Sequence, residues 1–146
     1  LKILNDEICE TTSRGMFVTM IVGVYDKNKN ELLLANAGHE PPLIFSKDGN
    51  FKTIDEAGPP LGIAPNFKFT EQIISFKESS MYIFTDGITE MKNNNGEMLG
   101  QEGFQDYIKK YQTTPNNKRL QKMIEDLISS GRIQKDDLTI VTVDGN

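Results

Sequence analysis

The feature that most limits how this chain folds is a pair of apolar, β-branched runs separated by a polar turn. The run MFVTMIVGVY is rich in Val, Ile and aromatic side chains, DKNKNE has turn chemistry, and ELLLANAG is apolar again. This pattern predicts a β-hairpin. PPLIFSKDGNFKTI predicts a second hairpin, which turns at Asp48, Gly49 and Asn50. The segments FTEQIISF, SSMYIFTD and LTIVTV predict further strands.

Helical spacing of apolar residues occurs in three other segments. The first covers residues 1 to about 12, and the second covers 104–111 and is expected to end by Pro115. The third covers 120–128 and stops at Gly131. We expect the last two stripes to face a sheet, with docking to a partner helix as the alternative. The fold class is therefore α/β (α+β), and with no repeat or linker we expect residues 1–146 to form a single domain.

Composition excludes several functional classes. The chain has 146 residues, of which 37% are hydrophobic, so it can bury a core without disulfides. Its formal charge of −5 opposes binding to nucleic acid. Cys9 is the single cysteine, which fits a reducing, cytoplasmic setting, and no apolar stretch predicts membrane insertion. The chain enters a helical pattern at Leu1 without Met or a capping residue, so we expect it to start inside a larger unit.

Acidic residues at two strand ends are the candidates for chemistry. Asp86 directly follows MYIFT, while Asp136 and Asp137 directly precede LTIVTV. Carboxylates held at the ends of strands suit hard divalent cations. The alternative is that TDG is a tight turn, with Gly87 at positive φ, and that the two adjacent aspartates are a solvated start of a strand. Spacing alone leaves both interpretations open.

A histidine and a cysteine are the remaining candidates for catalysis. His39, in NAGHEPP, is the only histidine and is either a base or ligand, or a structural hydrogen-bonding residue, which we favour. Cys9 lies on the predicted first helix without a neighbouring cation and is expected to be a buried, inert thiol. The glycines of GPPLGI match no phosphate-binding pattern.

Taken together, MFVTM, ANAGHEPPL, GPPLGI, IFTDGITEMKNNNGEMLG and DDLTIVTV follow one another in the order of a known family. The chain resembles the metal-dependent (PPM) serine/threonine phosphatases, in the bacterial branch of sporulation stage II protein E and RsbU, over nearly its whole length. The resemblance implies an α-β-β-α sandwich of mainly antiparallel sheets flanked by helices, lacking its first strands. Residues 1–146 would then be the C-terminal part of such a domain.

The resemblance also implies site residues. Asp86 and Asp136 match the metal-ligand positions of the family, and Asp137 is a secondary candidate. Gly87 would shape the turn that presents Asp86, and His39 would have a structural role near the site. The metals would be Mn²⁺ or Mg²⁺, in a two-metal site of the intact domain. The family's Gly-Gly-Asp and Asp-Gly-His-Gly stretches, which supply further metal carboxylates, have no counterpart here, so the 146 residues alone are expected to lack ligands.

The function implied is hydrolysis of phosphoserine or phosphothreonine on a protein by a metal-activated water, without a nucleophilic side chain. The expected substrate resembles an anti-sigma-factor antagonist, an upstream sensory domain is expected, and a dimer is left open. The first alternative is a catalytically inactive module that docks a regulatory protein. The second is an unrelated α/β fold in which the aspartates only form turns.

Overall fold

The computed structural model describes residues 1–11, 15–54 and 57–145, and these residues form two compact units. The first unit comprises Leu1–Pro41, Thr53–Glu78 and Gly145–Asn146. The second comprises Pro42–Lys52 and Ser79–Asp144. The predicted end of the first helix at residue 12 lies outside the described residues.

The first unit contains one helix and a three-stranded antiparallel sheet. Helix α1 spans Lys2–Thr11, and the strands are β1 Met20–Asp26, β2 Glu31–Ala37 and β5 Gln72–Ser75, in the order β1-β2-β5. The side chain of Asp26 accepts the backbone N–H groups of Asn28 and Lys29 at 2.9 and 3.2 Å, which forms the turn between β1 and β2. The predicted first hairpin is confirmed, although its first strand begins at Met20.

The β1-β2-β5 sheet has one buried and one exposed face, because side chains alternate along each strand. On β2, Leu34 is 1% exposed whereas its neighbour Leu33 is 37% exposed. Leu33 lies opposite Val24 of β1 and Ile73 of β5, and both of these are also exposed. An apolar row therefore crosses the outer face of this sheet.

The second unit combines a four-stranded sheet with three helices. The strands are β3 Leu43–Ser46, β4 Phe51–Thr53, β6 Ser79–Phe84 and β7 Ile140–Asp144, in the order β4-β3-β6-β7. Strand β6 pairs antiparallel with both β3 and β7. The helices are α2 Asp86–Thr89, α3 Gly100–Lys110 and α4 Asn116–Ser129. The second hairpin and the last strand were thus predicted correctly.

The core of the second unit lies between its sheet and helices α3 and α4. The Phe104 ring of α3 packs against the rings of Tyr82 and Phe84 on β6, with centroids 6.4 and 4.8 Å apart. The apolar stripes of both helices contribute to one buried cluster, as predicted, rather than to a free surface. The fully buried members of this cluster from the helices are Phe104, Ile108, Met123 and Leu127.

Helix α4 differs from its prediction in two respects. Pro115 does not end the second helix, which stops at Lys110, but caps the start of α4, since its fixed φ suits a residue that precedes a helix. Arg119 is buried whereas Leu120 is only partly buried. The Arg119 guanidinium donates to Tyr82 Oη and to Asp144 Oδ1, both at 3.0 Å, and this pairing offsets the cost of burying a charge.

The observed architecture is mixed α/β, with antiparallel sheets and helices, and this confirms the predicted fold class. Its longest helix, α4, has 14 residues. Among the described residues, no helix combines the length and the apolar character needed to cross a bilayer.

Candidate metal centre

Asp86 is positioned by the buried residues on either side of it. Strand β6 ends at Phe84, Thr85 caps α2, and Asp86 is the first residue of that helix. Phe84 and Ile88 are buried in the core of the second unit, whereas Asp86 itself is exposed. The carboxylate therefore reaches solvent from a backbone that is anchored at both ends.

Thr85 ties this segment to the one that precedes β7. Its backbone N–H donates to the Thr139 carbonyl at 3.2 Å. Its hydroxyl donates to the Asp137 carbonyl at 3.0 Å and accepts the Thr139 N–H at 3.2 Å. These three bonds extend the pairing of β6 with β7 beyond the strand ends, so the two acidic segments are joined through one side chain.

Gly87 lets the two segments approach each other closely. It is buried, and a Cβ built on it would lie 2.4 Å from the carbonyl oxygen of Asp137. The carbonyl carbon of Asp136 would be 3.4 Å away. No larger residue fits here unless the backbone of the facing segment moves.

The structure contradicts the alternative in which TDG is a tight turn with Gly87 at positive φ. Residues 86–89 form a short helix, not a tight turn, and Gly87 is not among the glycines with positive φ. The glycine is required by the facing carbonyl group of Asp137, rather than by its own backbone angle.

Asp136 and Asp137 lie on an exposed loop just before β7. Oδ1 of Asp136 accepts the Asp137 N–H at 2.7 Å, and the side-chain amide of Gln134 donates to the Asp136 carbonyl at 3.0 Å. Both acidic residues line an open polar cavity of about 300 Å³ together with Gln134 and Lys135. The loop thus presents two acids and one cation to the same space.

The carboxylates of this site are the type of ligand that a hard cation prefers, but they are few. Mg²⁺ and Mn²⁺ prefer carboxylate and water oxygens, and Mg²⁺ takes six of them. Among residues 1–11, 15–54 and 57–145, no group of three or more His, Cys, Asp or Glu side chains is arranged to hold a metal ion. Asp86 and Asp136 fit as part of a ligand set, and water or further groups must provide the rest.

His39 belongs to the first unit, where its backbone is held by the buried side chain of Asn36. The amide oxygen of Asn36 accepts the His39 N–H and its amide nitrogen donates to the His39 carbonyl, both at 2.9 Å. The ring Nδ1 lies 3.1 Å from the Thr19 hydroxyl. These contacts hold the backbone of His39 in place, and its structural role stays a prediction.

Two buried asparagines in the first unit were missed from the sequence. Besides Asn36, Asn5 of α1 donates to the Ala64 carbonyl at 2.9 Å and accepts the Gly62 N–H at 3.1 Å. The Cys9 thiol lies 3.9 Å from Asn5 Oδ1 and is only partly buried, rather than buried as expected. The available signal for Asn5 was its position next to the apolar stripe of α1.

Antiparallel sheets with flanking helices, as found here, match PP2C-like phosphatase folds. The family model for Stage II sporulation protein E (SpoIIE) matches residues 1–145. The chain belongs to this SpoIIE family.

Two curated relatives are similar along nearly the whole chain. Protein IcfG of Synechocystis is 30% identical over 152 residues, which include 98% of this chain and 23% of IcfG. Phosphoserine phosphatase RsbU of Bacillus subtilis is 27% identical over 146 residues, which include 98% of this chain and 43% of RsbU. The chain therefore spans less than half the length of either relative.

Solved structures have the same fold at low sequence identity. The SiaA-PP2C domain of Pseudomonas aeruginosa superposes with a TM-score of 0.81 at 16% identity, over 97% of this chain and 58% of that one. The manganese-presoaked SpoIIE phosphatase domain of Bacillus subtilis gives 0.70 at 18% identity, over 99% and 63%. RsbX in complex with magnesium gives 0.65 at 16% identity, over 94% and 59%.

Proposed function

We propose that the protein containing this chain is a metal-dependent protein serine/threonine phosphatase. The observation that carries this proposal is that the Asp86 segment lies against the segment of the two adjacent aspartates: Gly87 permits the close approach, and Thr85 bonds the two segments together. Membership of the SpoIIE family supports the same conclusion. Because the family match runs over residues 1–145, we further propose that both compact units belong to one domain and form its C-terminal part.

Within this proposal, Asp86 and Asp136 hold Mn²⁺ or Mg²⁺, and Asp137 supports them. The bound cations would neutralise phosphoryl charge and lower the pKa of water at the site. The chain's own contribution is to fix the carboxylates: Asp86 at the start of α2, and Asp136 on a loop bonded to Thr85 through its neighbour. The manganese-presoaked SpoIIE domain and RsbX in complex with magnesium support this choice of metals.

The proposed substrate is a phosphorylated protein that resembles an anti-sigma-factor antagonist. Support comes from the similarity to RsbU, which is named a phosphoserine phosphatase. An acidic chain can accept such an anion once cations at the site reverse the local field. A cytoplasmic location and an upstream sensory domain remain part of the same proposal.

A second candidate function is an inactive module that docks a regulatory protein. The short ligand set among the described residues favours this candidate, because carboxylates from two segments alone cannot complete the coordination of two cations.

The test uses the full-length protein and p-nitrophenyl phosphate, with Mn²⁺ titrated by calorimetry. We expect Asp86→Asn and Asp136→Asn each to lower kcat/KM by more than about 100-fold and to weaken Mn²⁺ binding, because each removes an anionic ligand. Asp106→Asn is the matched control, since Asp106 is an exposed aspartate on α3 that pairs with Lys109. Wild-type turnover in the two site variants, or no metal-dependent turnover in the wild type, contradicts the proposal, and the second result favours the docking module.

A further inference from the structure

A small surface of mixed character lies on the loops that follow α2 and α4, and we call it the Lys92 platform: Lys92, Met98 and Ile133. Lys92 forms isolated antiparallel bridges with both Met98 and Ile133. The Ile133 N–H donates to the Lys92 carbonyl at 2.8 Å and the Lys92 N–H donates back at 3.3 Å. Residues directly opposite each other in an antiparallel pair have their side chains on the same face. One cation is therefore flanked by two apolar side chains.

The apolar members of the platform are exposed to solvent. Met98 is 55% exposed and Ile133 is 54% exposed. The main-chain bonds of the bridges fix their positions without burying them. Such a preformed surface binds a partner at a lower entropic cost than a mobile loop does.

The nearest acid along the hairpin has a hydrogen-bond partner of its own. Asn93 pairs with Glu97 through its backbone N–H at 3.0 Å and through its side-chain amide, which donates to Glu97 Oε2 at 2.8 Å. The Glu97 carboxylate is therefore engaged by Asn93. Lys92 provides a cation on this surface, and the neighbouring Arg132 donates through Nη1 to the Met91 carbonyl at 3.4 Å.

The platform lies on the same two backbone segments as the candidate metal centre. The segments 86–92 and 133–137 are joined at one end by the Lys92 and Ile133 backbone bonds, and at the other by the Gly87 contact with Asp137. Asp86 lies six residues before Lys92, and Asp136 lies three residues after Ile133. A phosphorylated side chain bound at the aspartates would place its flanking residues near this surface.

We propose that the Lys92 platform docks the residues that flank the phosphorylated side chain of a protein substrate, and that it selects segments with one apolar and one acidic side chain. This inference rests on the proposed phosphatase function. A chain of net charge −5 repels an acidic phosphoprotein over most of its surface, so a local cation beside the site favours one orientation of approach. Met98 and Ile133 would cover the apolar side chain.

The test compares two phosphoserine peptides of equal length, one with Leu and Glu beside the phosphoserine and one with Ala and Gln there. For the full-length protein we expect kcat/KM to be about tenfold higher on the Leu/Glu peptide, the discrimination typical of one apolar contact. Met98→Glu, Ile133→Glu and Lys92→Gln should remove this preference and leave hydrolysis of p-nitrophenyl phosphate unchanged. Ile128→Glu is the matched control, because Ile128 is 59% exposed on α4.

Three results overturn the inference: equal use of both peptides by the wild type, an unchanged preference in the platform variants, or the same loss in the Ile128 control. In each case hydrolysis of p-nitrophenyl phosphate shows that the phosphatase function itself stands. If neither peptide nor p-nitrophenyl phosphate is hydrolysed, the proposed function fails, and fluorescence anisotropy of the labelled peptides still decides the inference. Tighter binding of the Leu/Glu peptide, weakened by Met98→Glu, supports docking, and equal binding overturns it.

Discussion

The two sheets of this chain differ in what covers them. The β4-β3-β6-β7 sheet packs the rings of β6 against Phe104 of α3, and Arg119 of α4 bonds to the same strand. The β1-β2-β5 sheet leaves a row of apolar side chains exposed on one face, beside a cavity of about 480 Å³. The strand-end aspartates belong to the second unit. Ligands for a cation need positions fixed to a fraction of an ångström, and a sheet covered by helices provides such positions.

Among the substitutions that test this difference between the sheets, the largest loss of stability is expected at Phe104. Phe104→Ala removes a fully buried ring that contacts Tyr82 and Phe84, so the free energy of unfolding should fall by about 3–5 kcal/mol. Urea unfolding followed by circular dichroism measures the change. Ile73→Ala on the exposed face of the other sheet is the control and should change the stability by less than about 0.5 kcal/mol. Similar losses in both variants would show that the two sheets are equally covered.

A smaller loss of stability should distinguish the buried from the exposed face of the β1-β2-β5 sheet. Leu34 and Leu33 are neighbours on β2, but the first is buried and the second lies in the exposed row. We expect Leu34→Ala to lower the free energy of unfolding by about 2–4 kcal/mol and Leu33→Ala by less than about 1 kcal/mol, since only the first leaves a cavity. The same urea titration compares them. A larger loss for Leu33→Ala would mean that the outer face is covered in solution.

Local patterns were sufficient to predict most of the fold. The apolar character of ELLLANAG after a polar turn predicted β2, and the spacing of 104–111 and 120–128 predicted α3 and α4, because each pattern depends on neighbours within two turns or a few strand positions. Arg119 could not be placed in this way. Its burial depends on Tyr82 and Asp144, which are 37 and 25 residues away along the chain.

The candidate site was predictable only in part, for the same reason. The strand-end position of Asp86 is visible in the sequence, but the role of Gly87 is not, because it depends on a carbonyl group 50 residues further along. Thr85 was overlooked, although its bonds to Asp137 and Thr139 join the two acidic segments. A threonine just after a strand gives no local sign that its hydroxyl pairs with a distant backbone. Whether Asp86 and Asp136 share a cation stays a prediction.

The smallest change in stability is expected at the surface of the second unit, where an exposed ion pair joins α3 and α4. Lys110 donates to Asp126 Oδ2 at 2.5 Å, and Tyr111 donates to the same oxygen at 3.0 Å. The hydrogen bond from Lys110, followed by that from Tyr111, lowers the pKa of the Asp126 carboxyl below its usual value of 3.8. A lowered carboxyl pKa stabilises the fold above the unfolded pKa, and this contribution is lost as the pH falls through the folded pKa. Because water screens the pair, Asp126→Asn should lower the urea midpoint only slightly at pH 7, and the loss should be smaller at pH 2.5, whereas Phe104→Ala should cost the same at both. A larger difference between wild type and Asp126→Asn at pH 2.5 than at pH 7 would contradict this assignment.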